Sequence, residues 1–197
     1  RKEVKTYSKL ENKIDDVINF VKKEIKDENQ VFWVCPLIEE SKKLDHQSSV
    51  TKYKFLNKIF PNKVALLHGK INSEEKEEIL NKFLNKEYSI SVSTTIIEVG
   101  IDFPNANVII IENANKFGLS QLHQLRGRVG RGSKPGTCIL LFKNQLSQNA
   151  RKRIQILKLS DDGFYIAEED MKLRGYGDII GFKQSGMKLF KIADPIH

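Results

Sequence analysis

Apolar residues recur at helical spacing over 10–25, where Ile14, Val17, Ile18, Val21 and Ile25 are separated by Lys, Asp and Glu, and this pattern predicts an amphipathic helix. The next run, Val31-Phe-Trp-Val-Cys-Pro-Leu37, is apolar at nearly every position and rich in β-branched and aromatic residues. It predicts a strand buried on both faces. Tyr53, Leu56, Ile59 and Phe60 mark a second helix, and 64–67 a second short strand. A third helix is expected to start at Asn72 or Ser73, whose side chains can accept from free N–H groups while Glu74 and Glu75 suit the helix dipole. Strands follow at 88–93, 108–111 and 137–142, and between the last two a helix over 119–129 ends in a glycine-rich turn. Helices alternating with short buried strands predict an α/β fold, a parallel sheet covered on both faces.

Beyond residue 144 the pattern changes. Ala150, Ile154 and Leu157 predict one helix, and Phe164, Ile166, Ala167 and Met171 a second after Asp161-Asp-Gly163. The stretch from Arg174 to Gly186, interrupted by glycines, is expected to be an extended loop. The organisation expected is a domain over 1–144 followed by a helical hairpin and loop over 145–197.

Charge adds a functional hint. The 197 residues carry 33 Lys and Arg against 25 Asp and Glu, a formal net charge of +8. From Asn113 to Ser160 there is no acidic residue, while Lys116, Arg126, Arg128, Arg131, Lys134, Lys143, Arg151, Lys152, Arg153 and Lys158 are all basic. Such a stretch suits a polyanion, or else it is a solvated basic face. Of 7 arginines, six fall between Arg126 and Arg174, although the chain has 26 lysines. Arginine is the residue whose planar fork recognises phosphate in two places at once. No apolar run approaches the roughly 20 residues of a membrane span, and the N-terminus is too charged for a signal peptide, so no membrane association is expected. Cys35 and Cys138 sit in separate apolar runs and are expected as buried free thiols of a reducing compartment. The four histidines lack ligand spacing, so no metal site is expected.

The loops at the carboxyl ends of the strands are where an open parallel sheet holds ligands. One such loop is Ser93-Thr-Thr-Ile-Ile-Glu-Val-Gly-Ile-Asp102, with hydroxyls for phosphate oxygens, a glycine for close approach, and a carboxylate. Alone it is no more than turn chemistry. The stretch Gln121-Leu-His-Gln-Leu-Arg-Gly-Arg-Val-Gly-Arg131 is more specific. Arg128 and Arg131 are three apart, so on one last helical turn both guanidinium groups would project together and stabilise charge on a departing phosphoryl group. Trp33 is expected in the core, and Asp27-Glu-Asn-Gln30, lying before its strand, as a helix-ending turn.

Gln124-Leu-Arg-Gly-Arg-Val-Gly-Arg131 resembles the sixth motif of superfamily-two helicases, and Ser93-Thr94 through Gly100-Ile-Asp102 their fifth. The chain is thus similar to the second RecA-like motor domain of these enzymes. Val34-Cys-Pro-Leu-Ile-Glu-Glu-Ser41, His68-Gly-Lys70, Ile111-Glu-Asn-Ala114, Phe117-Gly-Leu-Ser-Gln-Leu-His-Gln124 and the tail from Asp162-Gly-Phe164 to Gln184-Ser-Gly186 resemble the RecG family of bacterial branched-DNA helicases. The tail is also similar to the translocation module of the transcription-repair coupling factor Mfd. His123, where that relative has Tyr, favours RecG.

The resemblance implies that Arg128 and Arg131 act on ATP held by another domain, with Gln124 at the same cleft and Gly100 and Asp102 linking nucleotide and DNA sites. It implies that Thr94, His68 and Gly69 face the DNA backbone, and that Arg174 and Gln184 belong to a hook converting motor closure into duplex movement. Tyr176 and Lys183 depart from the Pro and Arg of the family pattern in that hook. No phosphate-cradling Gly-x-x-x-x-Gly-Lys-Ser/Thr loop occurs in the chain, nor a strand ending in an acidic pair. ATP and Mg2+ are therefore expected to be bound mainly by a first motor domain outside this segment. The partners implied are branched double-stranded DNA and the wedge and first motor domains of the same polypeptide. The expected context is a monomer in the bacterial cytoplasm, at the nucleoid, with negligible hydrolysis by the isolated segment. A non-enzymatic nucleic-acid-binding module, its arginines neutralising phosphates, is the alternative. A nucleotide-cofactor enzyme would need Gly-x-Gly-x-x-Gly after the first strand, which is missing.

Overall fold

Side chains alternate across each strand, so a run that is apolar throughout has to be covered on both sides. The computed structural model of the chain, which describes residues 3–36, 42–68, 71–94, 103–143 and 145–185, with side chains at all of these except 42–46 and 176–185, has that arrangement. Strands β1 (Val4–Leu10), β2 (Gln30–Val34), β3 (Val64–Leu67), β4 (Ile90–Ser93), β5 (Ala106–Ile111) and β6 (Gly136–Phe142) form one sheet in the order β1-β6-β5-β2-β4-β3. All neighbours are parallel, with Trp33 of the central β2 level with Val92 on one side and Ile110 on the other.

Helices α1 (Ile14–Lys26) and α2 (Lys42–Ile59) cover one face, where Val31, Trp33, Val108 and Ile110 meet Val17, Ile18, Val21 and Leu56. On the other face Phe32, Val34, Ile109 and Ile111 meet Leu80 and Phe83 of α3 (Ser73–Leu84) and Leu119, Leu122 and Leu125 of α4 (Leu119–Arg126). Ile154 and Leu157 of α5 (Gln148–Leu159) and Ile166 of α6 (Gly163–Ser185) join this second core. The hairpin is thereby packed into the same apolar layer as α4. Asn72 caps α3, its Oδ1 accepting from the Glu75 N–H at 2.8 Å, as expected. The 27–30 turn is confirmed: α1 ends at Lys26, Glu28 has φ of 65°, and β2 begins at Gln30.

Three expectations are corrected. The chain opens with a sixth strand, β1, which the apolar pattern missed because it is a sheet edge: only Val4 of its seven residues is buried, and Lys5 and Lys9 interrupt it. Residues 11–13 form a 3-10 turn, so the first helix starts at Ile14 instead of 10. The extended loop expected from Arg174 is helical as far as Ser185. Glycine weakens a helix by about 1 kcal/mol without forbidding it, and no proline removes an N–H between 163 and 185.

Candidate functional site

Helix α4 runs antiparallel to the strands, from the carboxyl end of β5 down to the amino end of β6. Its entry is set by Gly118, whose N–H donates to Gln121 Oε1 at 3.0 Å, and its buried leucines at 119, 122 and 125 hold it on the sheet. It ends three residues earlier than expected. The N–H groups of Arg128 and Val129 bond the carbonyls of Leu125 and Arg126 at 3.0 and 3.3 Å, a tighter turn, and Gly130 follows in the left-handed region at φ 74°. Arg128 and Arg131 therefore do not share a helical turn. They flank Val129, which is fully buried and pins the turn to the core, leaving Arg128 half-buried and Arg131 exposed. Arg131 Nε donates to the Gly127 carbonyl at 3.1 Å, folding the side chain back across the turn that carries Arg128.

The turn is wedged from two further sides. A Cβ on Gly132 would stand 2.3 Å from the Pro104 carbonyl oxygen, and one on Gly136 would stand 2.9 Å from the Gly130 nitrogen. Pro104 is itself fixed by Phe103, whose ring packs edge-on against Phe32 and Phe83 with centroids 5.7 and 5.2 Å away. Lys134 Nζ reaches Asn29 Oδ1 at 3.2 Å and the Asp27 carbonyl at 3.4 Å, tying the loop to the turn before β2.

This puts the arginine pair at the amino end of the sheet. Thr94 and His68 stand at the opposite, carboxyl end, after β4 and β3, Thr94 buried and His68 half-buried. Thr94 and His68 thus lie at the end of the sheet where the sequence analysis looked for ligand-binding loops, and the arginine turn lies at the other. The reason is topological: whatever follows a helix that returns across a parallel sheet lies at the amino end of the next strand. Gln124 is exposed on α4, two residues before Arg126. Gly69, Gly100 and Asp102 lie outside the described residues, as does the side chain of Gln184.

Not all of the basic segment faces outward. Arg126 is 2% exposed and Arg153 Nη1 donates to the Phe117 carbonyl at 3.1 Å, so the polyanion footprint is narrower than the charge count implies. Arg174 is paired with Asp170, Nη2 to Oδ2 at 3.0 Å, and Asp170 Oδ2 also accepts from Ser120 Oγ at 2.9 Å. Arg174 thus lies over Gly118 at the start of α4, where a Cβ would be 2.8 Å from its Nη2. The sequence offered no signal for Asp170 or Ser120 beyond their neighbourhood.

At the carboxyl end of β2 and β5, Glu112 accepts from Trp33 Nε1 at 2.9 Å and pairs with Lys52 Nζ at 2.9 Å. Lys52 lies 5.4 Å from the Trp33 ring centroid, and the Cys35 thiol approaches Glu112 Oε2 at 3.6 Å. Trp33 is core, as expected. Burial, then the Glu112 charge, push the Cys35 thiol far above its usual range, and burial raises Cys138 to about 12. Both are buried and free. Among the described residues no three His, Cys, Asp or Glu side chains converge, and no helix is long and apolar enough to cross a membrane.

Residues 12–133 match the helicase conserved C-terminal domain, and the chain belongs to that family. The tail from 160 to 196 matches the C-terminal part of domain 3 of the ATP-dependent DNA helicase RecG. Relatives bearing that name are found in Bacillus subtilis, 46% identical over 100% of this chain and 29% of the relative, and in Thermotoga maritima, 47% identical over 98% and 25%. The chain therefore spans under a third of the length of these curated relatives. A solved structure of RecG bound to a three-way DNA junction is similar at TM-score 0.76 and 44% identity, over 90% of this chain and 23% of that one. Domain 2 of the DEAD-box helicase Mss116p, 16% identical at TM-score 0.54, shares the fold alone.

Proposed function

We propose that this chain is the second motor half of an ATP-dependent DNA helicase that remodels branched DNA, replication forks and four-way junctions, in recombination and repair. Residues 1–144 are the motor domain and 145–197 the element that couples it to duplex movement. The reading is carried by one observation: around the buried Val129, Arg128 and Arg131 are displayed at the surface of the arginine turn while the adjacent Arg126 points inward.

Arg131, with Arg128 beside it, meets the polyphosphate of ATP bound to a first motor domain and stabilises the charge that spreads over the phosphoryl oxygens as the bond breaks. Gln124 belongs to the same cleft, and Gly100 and Asp102 link the nucleotide and DNA sites. Acidic residues of that first domain would hold Mg2+, which would supply charge neutralisation to the phosphates. Thr94 and His68, at the far end of the sheet, face the DNA backbone, and Gly69 shares that role. The nucleotide and the DNA are then separated by the length of the strands, and α4 spans that distance. Arg174, seated on the start of α4, and Gln184 pass its movement to the duplex. The protein works as a monomer on nucleoid DNA in a bacterial cytoplasm.

The test is Arg131→Ala in the full-length protein. DNA-stimulated ATP turnover should fall by about a thousandfold or more, the scale of an arginine finger, with fork affinity little changed. A phosphate-neutralising surface would give the opposite, intact turnover with weaker DNA binding and a salt slope reduced by about one. Detectable DNA-stimulated hydrolysis by the isolated chain would also overturn the reading.

A further inference from the structure

Arg126 carries a charge that no accessible pH removes, in a site only 2% exposed. Its fork is shared among three elements. Nη1 donates to the Leu157 carbonyl in α5 and to Thr6 Oγ1 in β1 at 3.3 Å. Nη2 donates to the Ser160 carbonyl at 2.7 Å, meets His123 Nδ1 at 3.1 Å, and pairs with Asp161 Oδ1 at 3.3 Å. The Asp161 side chain is 57% exposed, so this carboxylate lies at the rim of the group.

Packing alone would be satisfied by Leu or Met, which carry no desolvation penalty at such a site. The fork does what they cannot. The carbonyls of Leu157 and Ser160 belong to the last turn of α5 and its cap, where intrahelical partners run out and a cation is favoured by the helix dipole. Arg126 is the last residue of α4, two after Gln124 and two before Arg128. A rigid planar group thus fastens the end of the helix that carries the nucleotide-facing turn to the end of the helix that opens the hairpin.

We infer that Arg126 is a positioning residue, the joint through which movement of the arginine turn reaches the α5–α6 hairpin, and contacts neither ATP nor DNA. The inference rests on the motor reading above. It is separate from the attachments at the other end of α4, Arg153 on Phe117 and Asp170 on Ser120, because only this joint adjoins Arg128.

The experiment uses the full-length protein and measures ATP turnover together with base pairs opened per ATP on a forked duplex. Arg126→Met should keep DNA-stimulated turnover and the KM for ATP near wild type while base pairs opened per ATP fall by about tenfold. Arg126→Lys should recover part of that loss. Should Arg126→Met fail to fold, Asp161→Asn at the exposed rim carries the test, with an unchanged thermal midpoint and a ratio lowered by about twofold. A proportional fall of turnover and unwinding, or an unchanged ratio in the folded variants, overturns the joint. Arg131→Ala run in parallel separates the two failures: if it keeps turnover the motor reading fails, and if it loses turnover while the Arg126 variants stay coupled, only the joint does.

Discussion

Gly132 lies directly against Pro104, and a methyl group on the glycine would stand 2.3 Å from the proline carbonyl oxygen. The contact joins two loops that are 28 positions apart, the one that follows β4 and the one that carries Arg131. Backbone stands on both sides, so neither can yield cheaply. Gly132→Ala should destabilise the fold by about 1–3 kcal/mol, the usual cost of overpacking, and displace Arg131. A shift of about 1 Å at a catalytic group costs roughly a hundredfold in rate, so under the role proposed for Arg131 steady-state ATP turnover by the full-length variant should drop on that scale with the KM for DNA nearly unchanged.

The close approach at Gly118 has a different outcome because its neighbour is the tip of a side chain. A Cβ there would be 2.8 Å from Arg174 Nη2, and φ and ψ of −71° and 162° suit alanine. Arg174 can swing aside, giving up its half-exposed pair with Asp170, a loss of about 1 kcal/mol or less. Gly118→Ala should therefore melt close to the wild-type temperature while, under the coupling role proposed for Arg174, opening fewer base pairs per ATP on a forked duplex. Asp170→Asn should reproduce the uncoupling by the other partner.

These two glycines show what was legible in the sequence. The buried strands announced themselves because β2, β5 and β6 are apolar on both faces, and the arginine motif because its residue types have few other uses together. The edge strand β1 did not, since a strand open to water on one side needs only Val4 inside. The end of α4 was overestimated because Val129 extends the apolar period while Gly130, at positive φ, breaks it. Least legible was the division of the arginines: Arg126, Arg128 and Arg131 look alike in a chain of letters, and only the seating of α4 on the sheet turns the first inward. The separation of Thr94 from Arg131 by the length of the strands likewise follows from topology, which local spacing does not encode.

Glu112 is the hinge of a polar group set into an otherwise apolar layer. It joins Lys52 of α2 to the end of β5, each side chain 15% exposed, and it accepts the indole N–H of Trp33. Removing the carboxylate strands a largely buried ammonium and a buried donor. Glu112→Ala should cost about 2–4 kcal/mol, read from urea unfolding. Trp33 is the chain's only tryptophan, so its fluorescence reports this site directly. Combining Glu112→Ala with Lys52→Met should recover about 1 kcal/mol or more in a double-mutant cycle, because the second change removes the charge that the first left unpaired.

The two thiols give a prediction whose sign follows from burial. Cys138 is raised from an ordinary 9.0 to about 12, and Cys35 is raised further by burial and by the Glu112 carboxylate beside it. In the folded chain both are protonated at neutral pH and shielded from solvent, so neither should react with a thiol-specific disulfide reagent at pH 8 until the protein is unfolded in urea, when two thiols per chain should appear. Because the folded state holds these protons more tightly than the unfolded one, their contribution to stability is complete below pH 9.0 and declines as pH rises through the folded values. The urea midpoint of the wild-type chain should fall between pH 9.0 and about 12. Replacing Cys138 by Ala should flatten that fall, at the expense of a small cavity beside Arg126.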